Sequence, residues 1–294
     1  MLLVGDNPFH GISHLSQERA RLRGNVATCP EKAADLVMIS LQNGANGFMF
    51  SVSDLTLSIL QAIHDSGRIS HLDIYAIVPY AFEYVRVAAQ SGMPGLARKF
   101  AKQIVVSGDL RAIIIGLKAA ITTDPVALLK TYLTYEISRI KSSASKQANL
   151  VSVLLHEVIT DMAVALDLDW LFESYIDFML EREIKPGFNT RNFPYLVKKL
   201  KEWNIDLHQT IIATPFNKAG FQMNPSRREC EKTLASLSNS TIVALSILAA
   251  GYLRPSEAMD YIATLPNIKG VTVGVSKEQH AQETFELLKE KLNW

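Results

Sequence analysis

Residues Leu150–Asp161 read LVSVLLHEVITD. Val151, Val153, Leu154 and Leu155 make the first half continuously apolar, the pattern of a parallel strand covered on both faces. His156 and Glu157 break the run and mark where the strand leaves the core. Two titratable side chains at the end of a buried strand suggest chemistry. A solvated strand end is the alternative, and how the other strands end decides between them.

Working outward, the same arrangement recurs. Leu2–Gly5 is a short apolar strand followed at once by DNPFHGISH, which carries Asp6, Asn7, His10 and His14. Thr28, Pro30 and Glu31 have the spacing of a capping box, opening a helix with Ala33, Ala34, Val37, Met38 and Leu41 on its apolar face. Gly47–Val52 is a second strand running into Ser51, Ser53 and Asp54, with Leu57, Leu60 and Ile63 at helical spacing behind it. Leu72–Val78 is a third, ending at Pro79 and Tyr80. Residues 81–149 show helical periodicity alone and are expected to form a helical insertion, because ordinary connections between strand and helix are short. That insertion would cover one end of the sheet or serve as the surface of a homo-oligomer. After the fourth strand come a helix over Trp170–Arg182, a fifth strand at Pro186–Asn189 and a helix over Phe193–Trp203. A sixth strand spans Gln209–Ala213, a seventh Ile242–Leu248 and an eighth Val271–Val275, each with a helix behind it. Eight strands alternating with helices predict one (β/α)8 TIM barrel over residues 1–294, with the insertion after strand 3.

Composition narrows the partners. The chain has 294 residues, with Lys+Arg 30 against Asp+Glu 29 and a net charge of +1, so no global field recruits nucleic acid or an anionic membrane. Two cysteines, Cys29 and Cys230, without CxxC spacing argue for a reducing cytoplasm rather than a disulfide framework or a structural zinc site. The N-terminus lacks a basic segment and a long apolar run. The apolar stretch Thr241–Leu253 is short of the ~20 residues a bilayer span needs. The expected partner is a small molecule.

In a (β/α)8 barrel the loops after the strands form the active site, so residues distant in sequence can be pooled. The pool holds Asp6, His10, His14, Ser51, Ser53, Asp54, Tyr80, His156, Glu157, Asn189, Arg191, Thr214, Asn217, Tyr252, Ser276 and Lys277. Asp6, His10, His156 and Glu157 are the candidate ligands of a divalent metal, although no HxH after the first strand specifies one. His156 is alternatively a proton donor or carbonyl-orienting group, with an ordinary pKa near neutrality. A third reading has the histidines bonding the backbone at the barrel top. Gly274, Val275, Ser276 and Lys277 lead into a helix N-terminus where free N–H groups favour a phosphate, and Gly251 with Arg254 sits in the neighbouring loop.

GVSKEQHAQETFELL resembles the final strand and helix of aldo-keto reductases, whose GxSSPEHxEEN-like segment holds the adenosine end of NADPH. KPGFNTRNFPYLVKKLKEW is similar to that superfamily's fifth strand and helix, SVLLHE to the fourth strand with its active-site histidine, STIVALSILAAGYL to the seventh, and GANGFMFSVSD sits where the second belongs. The resemblance covers the second half of the chain and the second strand. It implies an NADP-linked oxidoreductase in which His156 orients the substrate carbonyl. It also implies that Asn189, Gly251, Ser276, Lys277 and Glu283 lie on the cofactor side, the last three against its phosphate and adenine. The family's aspartate and tyrosine after the second strand and its lysine at the end of the third are not matched here: FSVSD has no tyrosine and IVPY no lysine. Asp54 and Tyr80 are the expected stand-ins. Two other functions stay open: a metal-assisted hydrolase, lyase or isomerase acting on a polar or phosphorylated small molecule, and a ligand-binding barrel without catalysis.

Overall fold

Alternation along the strands sorts their residues into two cores. Leu3, Met49, Tyr75, Ile77, Leu154, Ile211, Ala213 and Val243 form one cluster, the barrel interior. Val4, Phe48, Phe50, Ile74, Val153, Leu155, Phe188 and Ile212 face the other way and join the helices in a second, larger core. A computed structural model of the chain describes residues 1–11, 29–68, 71–79, 125–144, 146 and 148–292. Its strands are β1 (Leu2–Gly5), β2 (Gly47–Ser51), β3 (Leu72–Val78), β4 (Ala148–Leu155), β5 (Lys185–Asn189), β6 (Ile211–Pro215), β7 (Thr241–Leu245) and β8 (Ile268–Gly274). They close in sequence order, every neighbouring pair parallel, with β8 returning to β1 through Leu3 opposite Thr272 and Gly5 opposite Gly274. The expected TIM barrel is the fold.

Nine helices are described: α1 (Pro30–Gln42), α2 (Asp54–Ser66), α3 (Pro125–Ser143), α4 (Glu157–Ala165), α5 (Asp169–Leu180), α6 (Phe193–Glu202), α7 (Arg227–Ala235), α8 (Pro255–Thr264) and α9 (Glu278–Leu292). Among them α2 shows how a sequence signal fixes a start. The Ser53 hydroxyl accepts from the Thr56 N–H at 3.2 Å while the Thr56 hydroxyl accepts from the Ser53 N–H at 2.9 Å, a reciprocal cap. The capping box expected on Thr28 and Glu31 is not the start of α1. Cys29 holds the cap position without a side-chain bond, Pro30 supplies the first helical φ, and Glu31 instead accepts from Cys29 Sγ; Thr28 lies outside the described residues.

Most of the expected insertion, residues 81–124, also lies outside the described residues. Its last part is described, and α3 packs against α2 and α5 in the ring around the barrel. Residues 125–143 are therefore the barrel's own third helix. The sixth strand begins at Ile211 because Leu207–Gln209 forms a 3-10 turn, in which Asp206 accepts from the His208 N–H at 2.9 Å. The seventh ends at Leu245 because Ser246 turns to a φ of 51°.

The opening stretch divides in two. Leu150–Leu155 belongs to β4, but Glu157–Ala165 is a helix with His156 as its N-cap. Thr160, Ala163 and Val164 are buried, whereas Val158, Met162 and Leu166 are exposed. Apolar side chains on both faces of α4 hid the change from strand to helix period. Tyr175 on α5 then locks β4 to β5, donating to the Val153 carbonyl and accepting from the Gly187 N–H at 3.1 Å. Gly187 has no room for a side chain: a Cβ there would lie 2.5 Å from Leu154 Cγ. These contacts fix the height at which the ends of β4 and β5 stand.

Candidate active site

Each strand brings its last inward position to the C-terminal mouth of the barrel, including Ser51, His156, Asn189 and Gly274, and these line a cavity of about 360 Å³. The loops after β1, β6 and β7 supply the rest of the wall, with Asp6, Gln222, Ser246, Ala250 and Gly251. Parity explains His156: Leu154 faces the barrel interior, so the second residue after it points into the mouth.

His156 is 6% exposed. Its backbone N–H donates to the Val78 carbonyl at 2.7 Å, and its ring Nδ1 accepts from the Val158 N–H at 3.2 Å. A nitrogen that accepts carries no proton, so the neutral ring bears its hydrogen on Nε2. Burial lowers the His156 pKa more than the Glu157 carboxylate raises it; Arg191 adds to the lowering and Asp6 opposes it. At neutral pH the imidazole is an uncharged Nε2–H donor.

Glu157 lines the cavity, but both of its oxygens are occupied: Oε2 accepts from Asn189 Nδ2 at 2.9 Å and Oε1 from Arg191 Nη2 at 2.5 Å. One turn further along α4, Asp161 accepts from the Thr190 hydroxyl at 2.5 Å and from the Arg191 N–H at 3.1 Å. Burial raises the Asp161 pKa, and these two bonds pull against it. Two carboxylates on one face of α4 thus hold the loop after β5 from side chain and backbone. Thr190 also accepts from the Asn192 N–H at 3.0 Å, and the Arg191 carbonyl accepts from the Asn224 N–H at 3.1 Å.

On the β1 side, Asp6 is buried and lines the cavity, its Oδ2 accepting from the Ser51 N–H at 2.7 Å and lying 3.1 Å from His10 Nε2. Pro8 covers the end of β8, so a Cβ on Gly274 would lie 2.6 Å from its ring. After β7 the backbone is left-handed at Ser246, Ala249, Ala250 and Gly251, with φ of 51°, 46°, 62° and 92°. The first three are not glycine and are held in a sparsely populated conformation at the cavity wall.

Of the expected site residues, Asp6, His156, Glu157, Asn189 and Gly251 are brought together around one cavity, with His10 bound to Asp6. Asp54 is not. It opens α2 on the surface, 80% exposed, in an ion pair with Arg139 of α3, so it does not replace the family's aspartate. Tyr80 and His14 lie outside the described residues. Ser276 and Lys277 sit beyond the cavity wall just before α9, and Glu283 is on the exposed face of that helix, where it accepts from Gln279 at 2.7 Å. The expected metal set does not assemble: Asp6 and Glu157 are committed to other partners, and no group of three or more His, Cys, Asp or Glu among the described residues could hold a metal ion. Asp161 and Thr190 were missed by sequence reasoning. The four-residue step from Glu157 to Asp161 is their signal, legible once Glu157 is known to begin a helix.

No family model and no curated protein matches the sequence. No described helix is long and apolar enough to cross a membrane. Among solved structures, two of a putative aldo-keto reductase from Pseudomonas aeruginosa each align over 99% of this chain and 90% of their own, with a TM-score of 0.58 and 13% identity. At that identity the likeness is one of fold, a (β/α)8 barrel.

Proposed function

We propose that this chain is an NADP-linked oxidoreductase of small carbonyl or hydroxy compounds, working at the barrel mouth around His156. The observation that carries the reading is the fixed tautomer of His156, an uncharged Nε2–H donor at the end of β4 in a cavity that runs to the loop after β7 and the end of β8. The residues on that side suit a phosphate-bearing cofactor. Gly251 and Ala250 present main chain with little side chain, Ser276 and Lys277 precede the unpaired N–H groups of α9, and Lys277 has no ion pair among the described residues. Ser276 and Lys277 would hold the phosphate, with Asn189 and Gly251 on the cavity side. When bound, such a cofactor supplies or accepts a hydride.

The chain's own work is binding and proton placement. His156 donates to the substrate oxygen, and its ring is held by the Val158 N–H so that Nε2 keeps one direction. Asp6 lines the opposite part of the wall with His10 on its Oδ2, the group placed to pass a proton between that histidine and a bound hydroxyl. Localisation in the cytoplasm and assembly into a homo-oligomer complete the proposal. Fluorescence titration with NADPH and NADH tests it. Saturable NADPH binding is expected, weakened roughly tenfold by Lys277→Ala, the loss of one charged hydrogen bond of about 1.5 kcal/mol, with NADH unaffected. Absence of binding at millimolar NADPH defeats the proposal.

A further inference from the structure

Arg191 is the one cation among the described residues that line the cavity. Four bonds fix its loop: the Thr190 N–H to the Ala213 carbonyl, the Arg191 N–H to Asp161, the Asn224 N–H to the Arg191 carbonyl, and the Asn192 N–H to the Thr190 hydroxyl. The guanidinium is held from one side by Glu157, through Nη2 alone, while the side chain remains 43% exposed. A guanidinium has five N–H donors in a rigid fork suited to a planar carboxylate. An arginine placed this firmly, with most of its donors unspent and a neighbouring imidazole N–H on the same wall, is preorganised for an anion.

We infer that Arg191 anchors a carboxylate of the substrate, so that the compound bound beside His156 is a small oxo or hydroxy acid. The carboxylate stands on the cavity alone, whereas the oxo or hydroxy group rests on the oxidoreductase reading above. The charges sharpen the inference. Asp6 and Glu157 are the two carboxylates among the described residues on the wall, and each already accepts hydrogen bonds, Asp6 from Ser51 and His10, Glu157 from Asn189 and Arg191. Glu157 competes with an incoming carboxylate for the same guanidinium, which gives a signed test: removing its charge strengthens acid binding.

The test uses pyruvate, its neutral isostere pyruvamide and inorganic phosphate, with binding followed by ligand-observed NMR on the full chain without cofactor. Pyruvate is expected to bind about tenfold more tightly than pyruvamide, and phosphate about tenfold more weakly than pyruvate because it lacks the adjoining carbonyl. Arg191→Gln is expected to erase the preference for the acid while leaving pyruvamide affinity within about threefold. Glu157→Gln is expected to raise pyruvate affinity several-fold and not that of pyruvamide, a gain that damage to the fold does not produce. Equal affinities of acid and amide for the unaltered chain overturn the inference. So do equal losses of both in Arg191→Gln, competition by phosphate at the same concentration as pyruvate, weaker pyruvate binding in Glu157→Gln, or no pyruvate binding at about 100 mM. NADPH titration is independent of all these arms. If cofactor binding fails while acid preference holds, the oxidoreductase reading falls and the anchor stands; the converse result removes the anchor alone.

Discussion

Replacing Thr190 by valine tests whether α4 holds the loop after β5 through Asp161. Thr190 is 0% exposed, and its hydroxyl donates to Asp161 while accepting from the Asn192 N–H. Valine keeps the shape and removes both bonds. Loss of a hydrogen bond to a charged group costs about 1.5–3 kcal/mol, and an unpaired Asn192 N–H adds about 1 kcal/mol, so Thr190→Val should cost roughly 2.5–4 kcal/mol at pH 7. The pH dependence carries a sign. Burial already raises the Asp161 pKa, and the Thr190 bond is the largest influence lowering it, so the substitution raises it further. A folded-state pKa above the unfolded value means that the folded state binds more protons between the two, so stability rises as pH falls through that window. The cost is therefore full above the folded pKa and shrinks as pH drops toward the ordinary carboxylate range. Urea denaturation of the unaltered chain, Thr190→Val and Thr190→Ser at pH 7 and at steps down to the ordinary carboxylate range measures it. Thr190→Ser, which keeps the hydroxyl and loses one methyl, should cost about 0.8 kcal/mol. A cost for valine below about 0.5 kcal/mol at pH 7, or one that does not fall with pH, refutes the reasoning.

Two further outcomes follow from the same geometry. His156 should titrate below the ordinary histidine value in an NMR pH titration of its ring, with Arg191→Gln moving it up and Glu157→Gln moving it down; shifts of the opposite sign would remove the electrostatic account. A depressed folded pKa means the unfolded chain binds the proton first, so this histidine contributes stability above its unfolded pKa of about 6.5 that is lost as pH falls toward the folded value. Gly274→Ala should lower stability by about 1–3 kcal/mol and loosen the β1 loop, because a Cβ would lie 2.6 Å from Cδ and 2.7 Å from Cγ of the Pro8 ring, which cannot rotate away; a neutral result in thermal denaturation would mean that the loop can lift freely.

The barrel was legible because its strands carry a period that survives alone. Each is a short apolar run bounded by polar residues, and closure follows from their number and from the helices between them. Boundaries were less so: Ser246 ends β7 by a left-handed turn that no apolar count detects, and Leu207–Gln209 delays β6 by a side-chain cap on Asp206. His156, Asp6 and Asn189 were readable as site residues because each stands at a strand end. Asp54 was misread for the same reason, since a residue just after a strand faces the mouth or the surface according to how the next helix starts, and the Ser53–Thr56 cap turns Asp54 outward beside Arg139. Asp161 and Thr190 escaped because their pairing spans a strand and a helix, and α4 was hidden in apolar sequence.

What distinguishes this mouth is the side of His156 on which charge stands. The resemblance leads one to expect a lysine at the end of the third strand, beside the histidine. Here the last inward residue of β3 is Ile77, paired in register with Leu154, so the wall on that side of His156 is apolar among the described residues. On the other side Asn189, Arg191 and Glu157 form a bonded cluster at the end of β5. An imidazole with an apolar neighbour on one flank and a guanidinium on the other is poorly placed to hold a second positive charge, which is the physical origin of its lowered pKa. A cation at the end of the fifth strand has a different task as well. A lysine next to an acid tunes proton release, whereas an arginine held by Glu157 on the same cavity wall can grip a second point of the same ligand. Under the proposed anchor, two-point attachment through His156 Nε2–H and the Arg191 fork would fix which face of a small molecule is presented to the loop after β7 and the end of β8.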